Sequence, residues 1–190
     1  MRDRFGIQVE TEPFLPEITP LALPDWLNKY LAVNHLSPAL AKSEKAVSEM
    51  LIAPVLSAVK EYNADKISLF SGEPLTMTGE LSGGCGFIIA ASPKAYLPEP
   101  PIMVLVEAKK QDLYGGIPQC IAEMLTARRV NERAGIQNDA IFGCVTTGSE
   151  WLFLKLSGTR AVTDPTILYY PELNRVLGVF HWVTGQFVKN

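Results

Sequence analysis

Glu107 and Lys109 stand two residues apart at the end of the run Pro101-Ile102-Met103-Val104-Leu105-Val106. Side chains alternate across a strand, so the two groups face one side at the place where a buried strand emerges. A carboxylate there can hold a hard divalent cation such as Mg2+ or Mn2+. An ammonium beside it can orient an attacking water or stabilise a phosphate during phosphodiester hydrolysis. Taken alone, Glu-x-Lys also describes an ordinary ion pair at a strand terminus, and for an isolated match that reading is the commoner one.

Other chemistry-bearing residues form weaker patterns. Cys85, Cys120 and Cys144 are far apart, have no C-x-x-C spacing, and combine with His35 and His181 into no zinc-type arrangement, so they read as buried free thiols. Gly83-Gly84-Cys85-Gly86 lacks the Lys-Ser/Thr ending of a phosphate-binding loop and leads into a strand, which favours a glycine-rich hairpin. Arg128, Arg129 and Arg133 are interspersed with Glu123 and Glu132 and read as a solvated helix face. Trp26, Trp151 and Trp182 read as packing residues.

Several elements must position the Glu-x-Lys pair. Residues 1–24 carry Pro13, Pro16, Pro20 and Pro24, which forbids regular helix and predicts an extended arm. Its Phe14, Leu15, Ile18, Leu21 and Leu23 need cover, either from the arm's own domain or from a second subunit in a homodimer. Residues 25–190 read as one domain. A short helix is expected from Asp25 to about Val33. A long one follows, opened by Ser37-Pro38, kinked at Pro54 and ending near Tyr62. At 100° per residue, Val47, Leu51, Pro54, Val55 and Ala58 make one stripe of that helix, with Glu44 near its middle. Strands are expected at 66–70, 86–91 and 102–107, then a helix after Gly115-Gly116 with Ile117, Cys120, Ile121, Met124 and Ala127 inward and Glu123 elsewhere. Strands at 140–146 and 151–156 joined by a turn at 147–150, and a helix at 172–187, complete the order. The fold class is α/β (α+β), with a mixed central sheet flanked by helices.

The segments Gly83–Ile89, Val106-Glu107-Ala108-Lys109-Lys110, Gly115–Met124 and Cys144–Leu154, taken in order, resemble the PD-(D/E)xK nuclease superfamily over about residues 43–156. The resemblance implies a restriction-endonuclease-like core of order αβββαβ, here extended by a further strand and a C-terminal helix. It implies an Mg2+- or Mn2+-dependent nuclease acting on nucleic acid such as DNA. Glu107 and Glu44 would be metal-binding carboxylates, Lys109 would position the water or stabilise the pentavalent phosphate, and Gln119 would support the site. The sequence departs from the superfamily at one position, because the aspartate of the second strand aligns with Gly86, which has no ligand atom. Glu80, Asp112 or Glu44 could replace it from another backbone position. The alternative is a nuclease-like fold without catalysis, serving as a binding or assembly module. A third reading is an unrelated α/β protein with a decorative Glu-x-Lys.

Bulk composition narrows the classes. The 190 residues carry 17 basic and 20 acidic side chains, a formal charge of -3, so the chain lacks the footprint of a general nucleic-acid binder and any such contact must be local. With 47% hydrophobic residues it can build a core. No apolar run approaches the roughly 18 residues that a membrane helix needs, and Arg2, Asp3 and Arg4 precede no apolar leader. With thiols that read as reduced, the expected location is the cytoplasm.

Overall fold

The computed structural model describes residues 6–35, 37, 43–75 and 86–188. Seven strands form one mixed sheet: β1 (Gln8–Thr11), β2 (Ser68–Ser71), β3 (Phe87–Ala90), β4 (Ile102–Ala108), β5 (Ile141–Thr146), β6 (Glu150–Ser157) and β7 (Arg160–Tyr169). Their order across the sheet is β1-β7-β6-β5-β4-β3-β2. β1 pairs parallel with β7 and β4 with β5, and the other neighbours are antiparallel. The helices are α1 (Asp25–Asn34), α2 (Glu44–Val47), α3 (Ala53–Tyr62), α4 (Ile117–Arg133) and α5 (Leu173–Phe187).

Every residue of β4 is buried, as a continuous apolar run at the centre of a two-sided sheet requires. Val104 and Val106 join Val55, Val59, Phe153, Val176 and Phe180 beneath α3 and α5. Leu105 joins Ile88, Val145, Cys120, Ile121 and Met124 beneath α4. Burial of each such side chain contributes roughly 1.5–3 kcal/mol. A Cβ at Gly143 of β5 would lie 2.6 Å from Met124 Sδ and 2.7 Å from Cys120 Sγ. The missing side chain therefore lets α4 sit close on the sheet.

The helix expected from Ser37 to Tyr62 is described only from Glu44 onward. Pro38 and residues 39–42 lie outside the described residues, and the described helix opens at Glu44, where Ser43 Oγ accepts from Ala46 N at 3.1 Å. The bend expected at Pro54 takes the form of a π-helical stretch, Ser48–Ile52, directly ahead of α3. Such a widened turn suits a residue that has no N–H to donate. The inward stripe holds for Val47, Leu51, Val55 and Ala58. Glu44, however, is exposed in the first turn of α2, beyond the edge of the core.

Two strands were not expected. β7 contains Asp164-Pro165 at an irregularity in the β6–β7 ladder, with Leu154 opposite Thr163 and Leu152 opposite Ile167. β1 belongs to the proline-rich arm and lies along β7 with Gln8 opposite Arg160. From there the arm continues over its own domain, where Phe14, Leu15, Ile18, Leu21 and Leu23 pack on the core. Leu21 N donates to Asn174 O at 2.9 Å. No helix among the described residues is long and apolar enough to cross a membrane.

Candidate active site

β4 ends against the start of α4, and its last side chains meet that helix. Glu107 is 4% exposed, and its Oε1 lies 2.8 Å from Lys109 Nζ. The backbone of Lys109 is held at the sheet by a 2.8 Å bond from its N to Thr146 O. Its stem passes Gly116, where a Cβ would stand 2.5 Å from Val145 Cγ1 and 3.1 Å from Lys109 Cγ. A side chain at position 116 would therefore push the lysine away from the carboxylate.

Gln119 extends the pair. Its Oε1 accepts from Lys109 Nζ at 3.1 Å, and its Nε2 donates to Glu123 Oε1 at 3.3 Å. An ammonium on one side and a carboxyl on the other both demand this orientation of the amide. Glu123 lies one turn further along α4 and is 5% exposed. It interacts in turn with the Glu107 carboxyl, closing a ring of four side chains. Glu123 Oε2 is buried without a donor. This corrects the expectation of a solvated face. On a helical wheel Glu123 falls only about 40° from Ala127, at the border of the apolar stripe, and the close approach of α4 buries it.

The electrostatics follow from that burial. Desolvation pushes the Glu123 carboxyl up to about 8, with the neighbouring charge of Glu107 adding to it and the Gln119 hydrogen bond opposing it. Two carboxylates packed together cannot both ionise cheaply, so at neutral pH Glu123 holds a proton that it can share with Glu107. Burial also raises Glu107 above the usual carboxylate range, despite the opposing hydrogen bond and charge of Lys109. Lys109 loses some stability as a cation to desolvation, but the bond to Glu107 and the surrounding carboxylates outweigh this and raise its value. The lysine is therefore a fixed cation at neutral pH, suited to orienting a ligand or stabilising negative charge. A general base would need the opposite shift.

Beside the ring lies a cavity of about 360 Å³, lined by Glu44, Lys45, Ser48 and Glu49 of the first long helical stretch, Ser71, Gly72 and Gly86, and Glu107, Ala108 and Gln119. Glu44 and Glu107 thus face one space, and the charge of Glu44 acts on both Glu107 and Lys109. Asp112 does not line it. Its Oδ1 accepts from Gly115 N at 2.8 Å and shapes the turn before α4. Glu80 and Cys85 lie outside the described residues, as does the segment Gly79–Gly84. Gly86 borders the cavity, yet a Cβ there would meet Val106 O at 2.6 Å. An aspartate at that position would force the β3–β4 backbone to move. Among the described residues no group of three or more His, Cys, Asp or Glu is gathered to hold a metal ion.

The remaining candidates are engaged elsewhere. Cys120 and Cys144 are buried free thiols, and desolvation raises both well above the usual thiol range, which makes them poor nucleophiles. His35 stacks on Tyr170 and His181 meets Asn63 Oδ1 at 3.0 Å. Trp151 packs edge-on against Phe180, and Trp182 against Phe142. Trp26 is 40% exposed and donates to Glu61 Oε2 at 2.7 Å. Arg128 donates to Gly158 O and lies 3.6 Å from Glu132. No family model and no curated protein matches this chain.

Proposed function

We propose that this protein is a metal-dependent phosphodiesterase with a restriction-endonuclease-like core, acting on nucleic acid. The observation that carries this reading is the Glu107–Lys109 pair, held at 2.8 Å at the end of β4, an interior strand, beside a cavity that the first long helical stretch also lines. The order of elements supports it. A helical segment precedes the antiparallel meander β2-β3-β4, and α4 then carries the chain to β5, which is parallel to β4.

The donor set fits a hard cation, since carboxylate oxygens suit Mg2+ or Mn2+ and Mg2+ needs only one or two carboxylates alongside water and substrate phosphate. Glu107 would hold the ion, with Glu44 across the cavity. When bound, it would supply charge stabilisation at the scissile phosphate. Lys109, permanently charged, would orient the attacking water and offset charge on the phosphoryl oxygens. Gln119 would keep the lysine in place. With a net charge of -3, the protein would engage its substrate locally at this rim.

Purified protein should cleave single- or double-stranded DNA with Mg2+ or Mn2+, and Glu107→Ala and Lys109→Ala should each lower the rate by at least about a hundredfold. Absence of cleavage under all four combinations overturns this reading. The close backbone at Gly86, where the superfamily's second acid cannot be accommodated unchanged, favours a second reading: a nuclease-like fold acting as a binding or assembly module.

A further inference from the structure

Between the end of β4 and the start of α4 the chain carries Lys110 and Tyr114 on a short turn, and both residues stand in solvent, Tyr114 at 64% exposure. Among the described residues, neither side chain has a hydrogen bond, an ion pair or a ring contact. We propose that Tyr114, with Lys110 on the same turn, is a platform on which an unpaired base stacks next to the Glu107–Lys109 site, so that the substrate class is single-stranded nucleic acid. This deepens the phosphodiesterase reading and rests on it for what happens to the bound strand.

The turn holds the ring out. Leu113 is buried at its base, Asp112 Oδ1 accepts from Gly115 N at 2.8 Å, and Gly116 N donates to Leu113 O at 3.3 Å. A Cβ at Gly115 would run into the Asp112 carboxylate, so the glycine lets the turn close. An aromatic ring presented by a fixed backbone loses little freedom on binding, and its face accepts any base that is not already paired. Its place in the fold is the second argument. Tyr114 opens the single 3-10 turn that ends at Gly116, roughly 4 Å away at about 2 Å per residue, and the Lys109 stem packs against Gly116. The ring is therefore within reach of the nucleotides that flank a phosphate held at Lys109. Charge favours the same class. With a net charge of -3 the chain has little to offer a duplex, which is held through many phosphate contacts, whereas stacking supplies affinity that does not depend on charge. Trp26 and Tyr62 are also at the surface, but their polar ends are bonded to Glu61 and to Ala22 O, and Tyr96, 99% exposed, precedes β4 at its opposite end.

The test is binding of labelled oligonucleotides of about 12 nucleotides to the full chain, read by fluorescence anisotropy in chelator, where metal-dependent cleavage cannot intervene. A DNA strand, an RNA strand of the same sequence and the DNA duplex are compared. The wild type should bind one or both single strands at least about tenfold more tightly than the duplex. Tyr114→Ala should lose at least about tenfold of that affinity, while Tyr114→Phe, which keeps the ring face, stays within about twofold of the wild type. Lys110→Ala should reduce the slope of log affinity against log salt by about 0.7, the share of one phosphate contact on a single strand. Tyr96→Ala is the control for an exposed tyrosine remote from the site and should bind as the wild type does. Both alanine variants should melt with the wild type, because both side chains are exposed. A wild type that binds neither single strand, or binds them no more tightly than the duplex, overturns the proposal. So does a Tyr114→Ala variant that binds as the wild type does, or an equal loss from Tyr96→Ala. If single strands bind through Tyr114 but none is cut with Mg2+ or Mn2+, the platform stands and the phosphodiesterase reading falls. If DNA is cut and Tyr114→Ala binds and cuts like the wild type, the platform falls and that reading stands.

Discussion

Asp164 and Glu123 are both acids buried to within a few per cent of complete exclusion from solvent, and their surroundings could hardly differ more. Asp164 Oδ2 accepts from the backbone N of Phe14 and of Leu15, each at 2.9 Å, and Oδ1 from Thr166 N at 2.9 Å. Desolvation would raise its value, but these backbone bonds win and hold it below the usual carboxylate range. Glu123 has one long bond from Gln119, a second carboxyl beside it, and an oxygen with no donor. A buried acid whose oxygens are all answered fastens structure, here the arm to β7. One packed against a second carboxyl instead holds a proton between them and makes stability depend on pH.

Asp164→Ala should therefore have the largest effect. It removes three charge-assisted hydrogen bonds and leaves the amides of Phe14 and Leu15 without partners, so the loss of stability should be about 4 kcal/mol in urea unfolding. The proposed DNA cleavage, per folded molecule, should not respond to this substitution. If the loss is below about 1 kcal/mol, the arm is held by its apolar contacts and the clamp is unimportant.

The two acids should also respond to pH with opposite sign. Asp164 binds its proton more weakly in the folded state than in the unfolded, so its contribution is present above the unfolded value near 3.8 and is lost as pH falls through its folded value. Glu123 binds its proton more tightly when folded, so its contribution is full below the unfolded value near 4.5 and is lost as pH rises through about 8. Between pH 5 and 8 in chelator, stability should fall by on the order of 3 kcal/mol. Glu107 moves in the same direction and belongs to the same coupled pair. Glu123→Gln should flatten most of this slope. Denaturant midpoints across the pH series decide it, and an unchanged slope would assign the proton elsewhere.

The contrast also explains what could be read from sequence. β4 was legible because an unbroken Val/Leu/Ile run has few alternatives to a strand covered on both faces. The same-side placement of Glu107 and Lys109 followed from strand alternation alone. β7 was hidden by Asp164-Pro165, whose turn chemistry is real but is spent on a bulge that turns the aspartate toward the arm. β1 has only four residues, and its strand state comes from pairing with β7, a partner remote in sequence. Glu123 escaped notice because nearby Arg128, Glu132 and Arg133 suggest a wet face. Its burial is decided by how closely α4 approaches the sheet, and that depends on Gly116, which leads into α4, and on Gly143 of β5. Its spacing of four residues from Gln119, one helical turn, was the available signal.

Gly178 and Gly116 give the finest comparison, because each acid depends on one that admits its partner element. On α5, a Cβ at Gly178 would lie 2.4 Å from Thr19 O, so Gly178→Ala must displace the backbone of the arm just beyond the Asp164 clamp. A cost of about 2 kcal/mol is expected, offset slightly by alanine's better helix propensity. At the start of α4, Gly116→Ala meets only side chains, Val145 and the stem of Lys109, and should cost about 1 kcal/mol. The smaller perturbation should nonetheless be the one that reaches the site. Shifting Lys109 weakens its bond to Glu107, which removes the main influence opposing desolvation there and raises the Glu107 carboxyl further. DNA cleavage by Gly116→Ala should fall about tenfold while Gly178→Ala cuts at the wild-type rate. Equal activity in the two variants would mean that the Lys109–Glu107 geometry tolerates movement, and that the ring is held from the Gln119 side instead.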